Sequence, residues 1–270
     1  MKKSKGFFRI ILSAFAATIM MGAIPACTAE SGPKFVAHRG YSHSYVDNTE
    51  EAFRAAADMG FYGIETDIRK TKDGYFVCNH DDTAQYADGT RMKISSYDLA
   101  TLRSKPLANN KTDKDAYICT FETYLRACKS GGKVAVIELK EYFGAEDVQR
   151  ILSLIDAEYD RKKVTFISFS YLALLEVKSV DRNIPLQYLS QELDDPKFDA
   201  CIKDRISVDV KQYAQDSKGV WKPLLTEELV KTFHDAGLTV NVWTVDDEAD
   251  LQKALQTGVD YITTNVFYNE

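Results

Sequence analysis

The chain has only four histidines and five cysteines among 270 residues, and its 34 Lys and Arg are outnumbered by 40 Asp and Glu. Each shortage excludes something. The acidic balance, a formal net charge of −6, is a poor fit to sequence-independent nucleic-acid binding, which neutralises phosphates with surplus Lys and Arg. No two cysteines stand in C-x-x-C spacing, so neither a zinc knuckle nor a redox dithiol is indicated. No internal repeat, low-complexity tract or second-domain boundary interrupts the chain. Two of the scarce histidines end short apolar runs: His38 in Val36-Ala37-His38-Arg39-Gly40, and His80 in Cys78-Asn79-His80-Asp81.

The N-terminus carries Lys2, Lys3, Lys5 and Arg9 with no acid, followed by an apolar run from Ile10 to about Ile24. That pattern reads as a secretory signal rather than a spanning helix. Ile24-Pro25-Ala26-Cys27 resembles a bacterial lipobox, in which Cys27 becomes the lipidated first residue. Ordinary signal-peptidase cleavage nearby is the alternative. The expected division is a signal peptide over 1–26, a tether over 27–33 and one domain over 34–270. The protein is then exported, either lipid-anchored at the cell membrane or periplasmic or extracellular. Cleavage before Cys27 leaves 270 − 26 = 244 residues, and the loss of four basic residues and no acids gives 30 − 40 = −10. So acidic a surface gains little from anionic lipid, and any membrane attachment comes from the anchor. Cys78, Cys119, Cys128 and Cys201 are expected as free core thiols, although an exported location permits disulfides.

From Phe35 onward short β-rich runs alternate with helical periodicity. Strands are expected at 35–37, 63–67, 75–79, 134–139, 164–168, 185–189, 206–210, 239–243 and 261–263. Helices are expected near 49–59, 120–130, 145–157, 171–180, 226–236 and 248–257, with Gly237 and Gly258 as left-handed stops. Mostly continuous apolar strands separated by helices point to a parallel sheet covered by helices. At this length the leading architecture is a single-domain α/β fold, the (β/α)8 TIM barrel, with a short loop insertion after the third strand. Nine strand candidates compete for eight places. Lys70-Thr71-Lys72-Asp73-Gly74 reads as a turn with no room for a helix, and the polar segment 81–115 that follows His80 is a natural substrate-selecting loop.

A lone histidine at a strand end is more often structural than catalytic. Arg39 and Gly40 reverse that for His38, since a guanidinium fork suits phosphate and glycine lets backbone approach a ligand. Glu65 and Asp67, two apart on a strand, aim at the same side. Their mutual repulsion in a low-dielectric mouth is relieved by a bound cation. A third acid, Glu138, ends the apolar strand Val134–Leu139, where a charge is costly unless paired or ligating. Lys140 shares its face, so Glu138 reads as a metal ligand and Lys140 as a phosphate or leaving-group contact. The plain alternative is an ion pair. Trp243 is either core or a wall of the pocket. His43 has no assignment.

Taken in order, His38-Arg39-Gly40, Asp47-Asn48-Thr49, Glu65-x-Asp67, Thr71-Lys72-Asp73-Gly74 and His80-Asp81 resemble the glycerophosphodiester phosphodiesterase family. Glu138-x-Lys140, Ser168-Phe169, Trp243-Thr244-Val245 and 258–264 continue the likeness across nearly the whole expected mature chain. The resemblance implies a (β/α)8 barrel that hydrolyses glycerophosphodiesters to glycerol 3-phosphate and an alcohol with one divalent cation, Ca²⁺ or Mg²⁺. It implies that His38 and His80 are the general acid and base, that Glu65, Asp67 and Glu138 ligate the metal, and that Arg39, Lys140 and Trp243 contact substrate. Two departures stand out: Val46-Asp47 where the family usually has Pro-Glu, and Thr264-Asn265-Val266 where it often has Asp and Pro after the Thr. Alternatives are a barrel phosphodiesterase acting on lysophospholipids or phospholipids, and a non-catalytic lipoprotein that binds polyol phosphates. The nucleophile, water or the substrate's own 2-hydroxyl, stays open.

Overall fold

The computed structural model describes residues 32–109 and 111–268. The expected signal segment, Cys27 and the tether as far as residue 31 lie outside the described residues. Eight strands form the expected barrel: β1 (Lys34–Ala37), β2 (Gly63–Lys70), β3 (Val134–Leu139), β4 (Val164–Ser168), β5 (Leu186–Ser190), β6 (Ser207–Lys211), β7 (Val240–Trp243) and β8 (Tyr261–Thr264). All neighbours run parallel, and β1 pairs with both β8 and β2 to close the ring.

Among the described residues seven helices cover the outside of the barrel: α1 (Glu50–Ala57), α2 (Phe121–Gly131), α3 (Ala145–Glu158), α4 (Tyr171–Val180), α5 (Lys197–Lys203), α6 (Glu227–Asp235) and α7 (Glu248–Gln256). Side-chain oxygens of Thr49, Thr120, Ser170, Thr226 and Asp247 cap the starts of α1, α2, α4, α6 and α7, satisfying N–H groups that a helix cannot pair internally. The sequence pattern missed α5. It is seven residues long and follows Pro196 without a side-chain cap, so no start signal marks it. Gly237 and Gly258 adopt the expected left-handed backbone, with φ of 67° and 77°.

The alternation of side chains along each strand divides the barrel into two cores. Ile64, Ile68, Ala135, Ile137, Phe166, Val208 and Val242 face outward and join the helices in the main core. Val36, Val136, Ile167 and Leu189 face inward and form a small plug below the mouth. Tyr124 of α2 ties these layers together, donating its hydroxyl to the carbonyls of Ile64 (2.7 Å) and Val136 (3.2 Å).

The ninth strand candidate is no barrel stave. Phe76–Cys78 folds back antiparallel on the end of β2, Ile68 opposite Cys78 and Lys70 opposite Phe76, around the expected turn. This hairpin lifts Asn79 and His80 to the level of Asp67, whose carbonyl accepts the Asn79 amide at 2.9 Å. The insertion after it is more ordered than its polar composition suggests. Strands Thr83–Gln85 and Arg91–Lys93 pair antiparallel, and Tyr86, Met92, Ile94, Leu102, Leu107 and Ile118 build a satellite core under it. After β8 the chain continues as a terminal segment in which Phe267 packs edge-on against Phe61 at 5.1 Å. The four expected core thiols are buried and form no disulfide. Among the described residues no helix is long and apolar enough to cross a membrane.

Candidate active site

Every expected site residue in the barrel reaches its C-terminal mouth. His38, Arg39, Glu65, His80, Glu138 and Lys140 line one cavity of about 290 Å³, with Trp243 also on its wall. Asp67 lies at its base, 1% exposed.

A sharp turn after β1 sets the first two. Arg39 and Gly40 have φ of 60° and 79°, and a Cβ on Gly40 would lie 2.6 Å from the Ala52 carbonyl carbon, so only glycine fits there. The turn directs the Arg39 amide to Glu65 Oε2 at 2.8 Å. It also brings Arg39 Nε within 3.3 Å of Asp67 Oδ2 and Nη1 within 3.2 Å of Asp47 Oδ2. Asp47 thus keeps a role as the anchor of the guanidinium. Although burial disfavours its charge, the Asp67, Glu65 and Asp47 carboxylates hold Arg39 above the ordinary arginine range. Its Nε is buried against Asp67 Oδ2 without an aligned hydrogen bond.

Glu65, Asp67 and Glu138 present carboxylate oxygens all within 4.8 Å of one another. Lys140 Nζ sits 2.8 Å from Glu138 Oε1 and 3.6 Å from Asp67 Oδ1, so the expected ion pair and the expected acidic cluster are parts of one arrangement. Three acids face two cations. Burial first, then the neighbouring acids, push Glu65 well above the ordinary carboxylate range. The same causes, burial and then Asp67, push Glu138 up to about 7 against the pull of Lys140. Burial works on Asp67 too, but Arg39, Lys140, His80 and a hydrogen bond from Asn48 outweigh it and hold this acid low. Asp67 Oδ1 has no hydrogen-bond partner. A buried set of oxygen ligands with excess negative charge and an unsatisfied oxygen fits a hard divalent cation.

The two histidines are held differently. His38 Nδ1 lies 2.8 Å from Asn265 Oδ1. The Asn265 amide nitrogen donates to Asp246 Oδ2 at 2.6 Å, which fixes the oxygen on the His38 side and makes Nδ1 the protonated nitrogen. Nε2 keeps its lone pair. Burial, reinforced by Arg39, lowers His38 to about 4, so the ring is neutral at pH 7. His80 is more open, with Nδ1 2.8 Å from Asp81 Oδ1, and Arg69 grips its backbone carbonyl through Nε and Nη2 at 3.0 and 2.6 Å.

Several functional neighbours were not singled out from sequence. Asn48, at φ 59°, donates to Asp67 Oδ2 at 2.7 Å and accepts from the Asp67 amide and Thr66 Oγ1. The Asp47-Asn48-Thr49 run was its only signal. Asn265 appeared as a departure, yet it is the partner of His38. Trp243 donates Nε1 to the Asp209 carbonyl at 3.3 Å, meets Phe169 edge-on at 5.6 Å and carries Lys211 Nζ 5.2 Å above its ring. It is wall rather than core. Asp209, fully buried, is pushed well above the carboxylate range by burial and by Glu138. His43 lines a neighbouring depression with Lys111 and Asp246 and is not part of this cavity.

The match to known proteins covers this whole arrangement. A sequence model described as the glycerophosphoryl diester phosphodiesterase family matches residues 38–267. A glycerophosphodiester phosphodiesterase of Caldanaerobacter subterraneus is 26% identical over 237 residues, covering 85% of this chain and 93% of the relative. One from Bacillus subtilis is 28% identical, covering 85% and 82%. The fold matches an Oleispira antarctica phosphodiesterase solved with the product sn-glycerol-3-phosphate, at TM-score 0.73 and 21% identity over 87% of this chain and 93% of that one. It also matches a Parabacteroides distasonis glycerophosphodiester phosphodiesterase at TM-score 0.67 and 23% identity, covering 88% and 94%.

Proposed function

Because the chain belongs to the glycerophosphoryl diester phosphodiesterase family, we propose that it hydrolyses glycerophosphodiesters to glycerol 3-phosphate and an alcohol by metal-dependent, two-histidine catalysis. It is a phosphodiesterase; the cation and the proton-transfer roles are the reading offered here. The observation that carries this reading is one cavity lined by His38, His80, Arg39, Lys140, Glu65 and Glu138, with Asp67 completing the acidic triad.

Glu65, Asp67 and Glu138 would hold the cation, Ca²⁺ or Mg²⁺, which supplies Lewis-acid neutralisation of phosphate charge. The Arg39 guanidinium and Lys140 Nζ bind non-bridging phosphate oxygens and stabilise charge as it builds there. Neutral His38, with Nδ1–H committed to Asn265, takes a proton on Nε2 from the attacking hydroxyl, either of water or of the substrate's 2-hydroxyl, the latter giving a cyclic phosphate that water then opens to glycerol 3-phosphate. His80, oriented through Nδ1 by Asp81 and open to solvent for reprotonation, delivers a proton to the leaving alkoxide.

The test is release of glycerol 3-phosphate from glycerophosphocholine and glycerophosphoethanolamine, with chelator and then with Ca²⁺ or Mg²⁺ restored. Turnover that chelation stops and one cation restores is expected. Chelator-resistant hydrolysis would remove the metal from the mechanism, and binding without turnover of any diester would favour the polyol-phosphate-binding lipoprotein. One observation favours a second reading, action on lysophospholipids: Phe169 on the cavity wall is 40% exposed, and Tyr142, just past β3, and Leu172, in the first turn of α4, are 59% and 68% exposed, apolar surface that an acyl chain would use. Faster cleavage of lysophosphatidylcholine than of glycerophosphocholine would establish it.

A further inference from the structure

The wall of the cavity opposite the acidic triad holds a feature that the proton-transfer scheme does not use. Asp209 faces inward from the middle of β6, two residues before the rim residue Lys211 and so on the same face, and lines the same cavity as His38 and Glu138. It is 1% exposed, and its Oδ1 has no hydrogen-bond partner. Asn241, its register neighbour on β7, is equally buried. Asn241 Nδ2 donates to Thr263 Oγ1 at 2.9 Å and its amide also leans on the Asp209 carboxyl, but its Oδ1, like Asp209 Oδ1, is without a donor. Two adjacent buried acceptors left unsatisfied are rare, because each forfeits hydration without compensation. A need confined to folding would be met better by an apolar pair there, as at Ile167 and Leu189 on the adjoining strands.

What completes these acceptors must donate hydrogen bonds and carry little charge. An anionic phosphate offers no donor to these acceptors, and a bulky cation would meet Lys211, which already stands over Trp243. A chain of hydroxyls with an apolar edge fits both the acceptors and the Trp243–Phe169 wall. We propose that Asp209, supported by Asn241, is the specificity-determining residue for the polyol arm of the substrate, accepting hydrogen bonds from its hydroxyls while the phosphate sits at Arg39 and Lys140. This rests on the glycerophosphodiesterase reading above and adds the group that recognises glycerol as glycerol.

Calorimetric binding of two ligands, glycerol 3-phosphate and n-propyl phosphate, isolates that contribution. They share a phosphate and a three-carbon arm, and only the first has hydroxyls. The native protein is expected to prefer glycerol 3-phosphate, and Asp209→Leu to reduce that preference about tenfold, the usual scale for losing one hydrogen bond to a charged or strongly polar group. Its affinity for propyl phosphate and its melting temperature should not fall. Asp209→Asn, which keeps an acceptor oxygen, should restore most of the preference, and Asp209→Ala repeats the comparison should the leucine fold poorly. Equal losses for both ligands, or an unchanged preference in Asp209→Leu and Asp209→Ala, would overturn the proposal. So would an effect confined to the alcohol released, seen when glycerophosphocholine and glycerophosphoinositol are compared. Failure to hydrolyse any diester, by contrast, strikes the proposed reaction and not this binding result.

Discussion

Single residues in this site are assigned by what their neighbours leave free. Asn265 and Asp81 each occupy one nitrogen of a histidine, so the other nitrogen is the chemically available one. His38→Ala and His80→Ala are each expected to lower kcat by about two to four orders of magnitude, the usual worth of a positioned general acid or base. Circular dichroism should show an unchanged fold, and near-native turnover in either variant would undo the assignment. The raised acids make a second expectation. Glu138, at about 7, and Glu65, also raised, must release protons before they ligate. Cation affinity should therefore weaken as pH falls through 7, about tenfold per unit for each proton displaced. Calorimetric titration at pH 6 and pH 8 in buffers of different ionisation enthalpy measures both affinity and proton release; a pH-independent affinity would contradict it. The sign for stability is opposite. In chelated protein the fold binds more protons than the unfolded chain between 4.5 and about 7. The Glu138 contribution is therefore lost as pH rises through that window.

At the scale of elements, two close approaches separate support from function. Gly131 at the end of α2 faces α1, where a Cβ would lie 2.5 Å from the Ala57 carbonyl oxygen. Gly131→Ala should prise the two helices apart at about 1–3 kcal/mol. At about 2–4 °C per kcal/mol for a chain of this size, melting should fall by several degrees, with kcat preserved because no site residue stands there. Gly40→Ala adds a strained φ of 79° to a clash with Ala52, directly beneath His38 and Arg39. It should lower melting temperature and kcat together. A calorimetric melt and a turnover assay on each variant check the contrast. The antiparallel Phe76–Cys78 strand belongs to this scale too: His80 reaches the mouth because a hairpin returns it there.

For the whole molecule, we propose that the chain is exported and held at the membrane by lipid on Cys27. Full-length protein in a lipoprotein-processing bacterium should incorporate labelled fatty acid and sediment with membranes. Cys27→Ser should lose both properties while the barrel stays active. Label in the serine variant, or soluble unlabelled native protein, would refute the anchor. The acidic balance of the sequence, −6 overall, gives the barrel no electrostatic hold on anionic lipid.

Periodicity alone marked all eight staves, with one candidate too many, and six of the seven barrel helices, because alternation and helical spacing record which face each element buries. The acids and histidines at strand ends were equally legible: polar groups that terminate apolar strands have few structural uses. Tertiary structure decided the rest. Tyr75–Asn79 has the composition of a barrel strand, and only its antiparallel pairing with the end of β2 excludes it. Asn48, Asn265 and Asp209 carry ordinary side chains whose meaning lies in partners up to 227 residues away, as between His38 and Asn265. Sequence records what a residue can donate or accept. Which group stands opposite, and which acceptor is left without one, is fixed when the barrel closes.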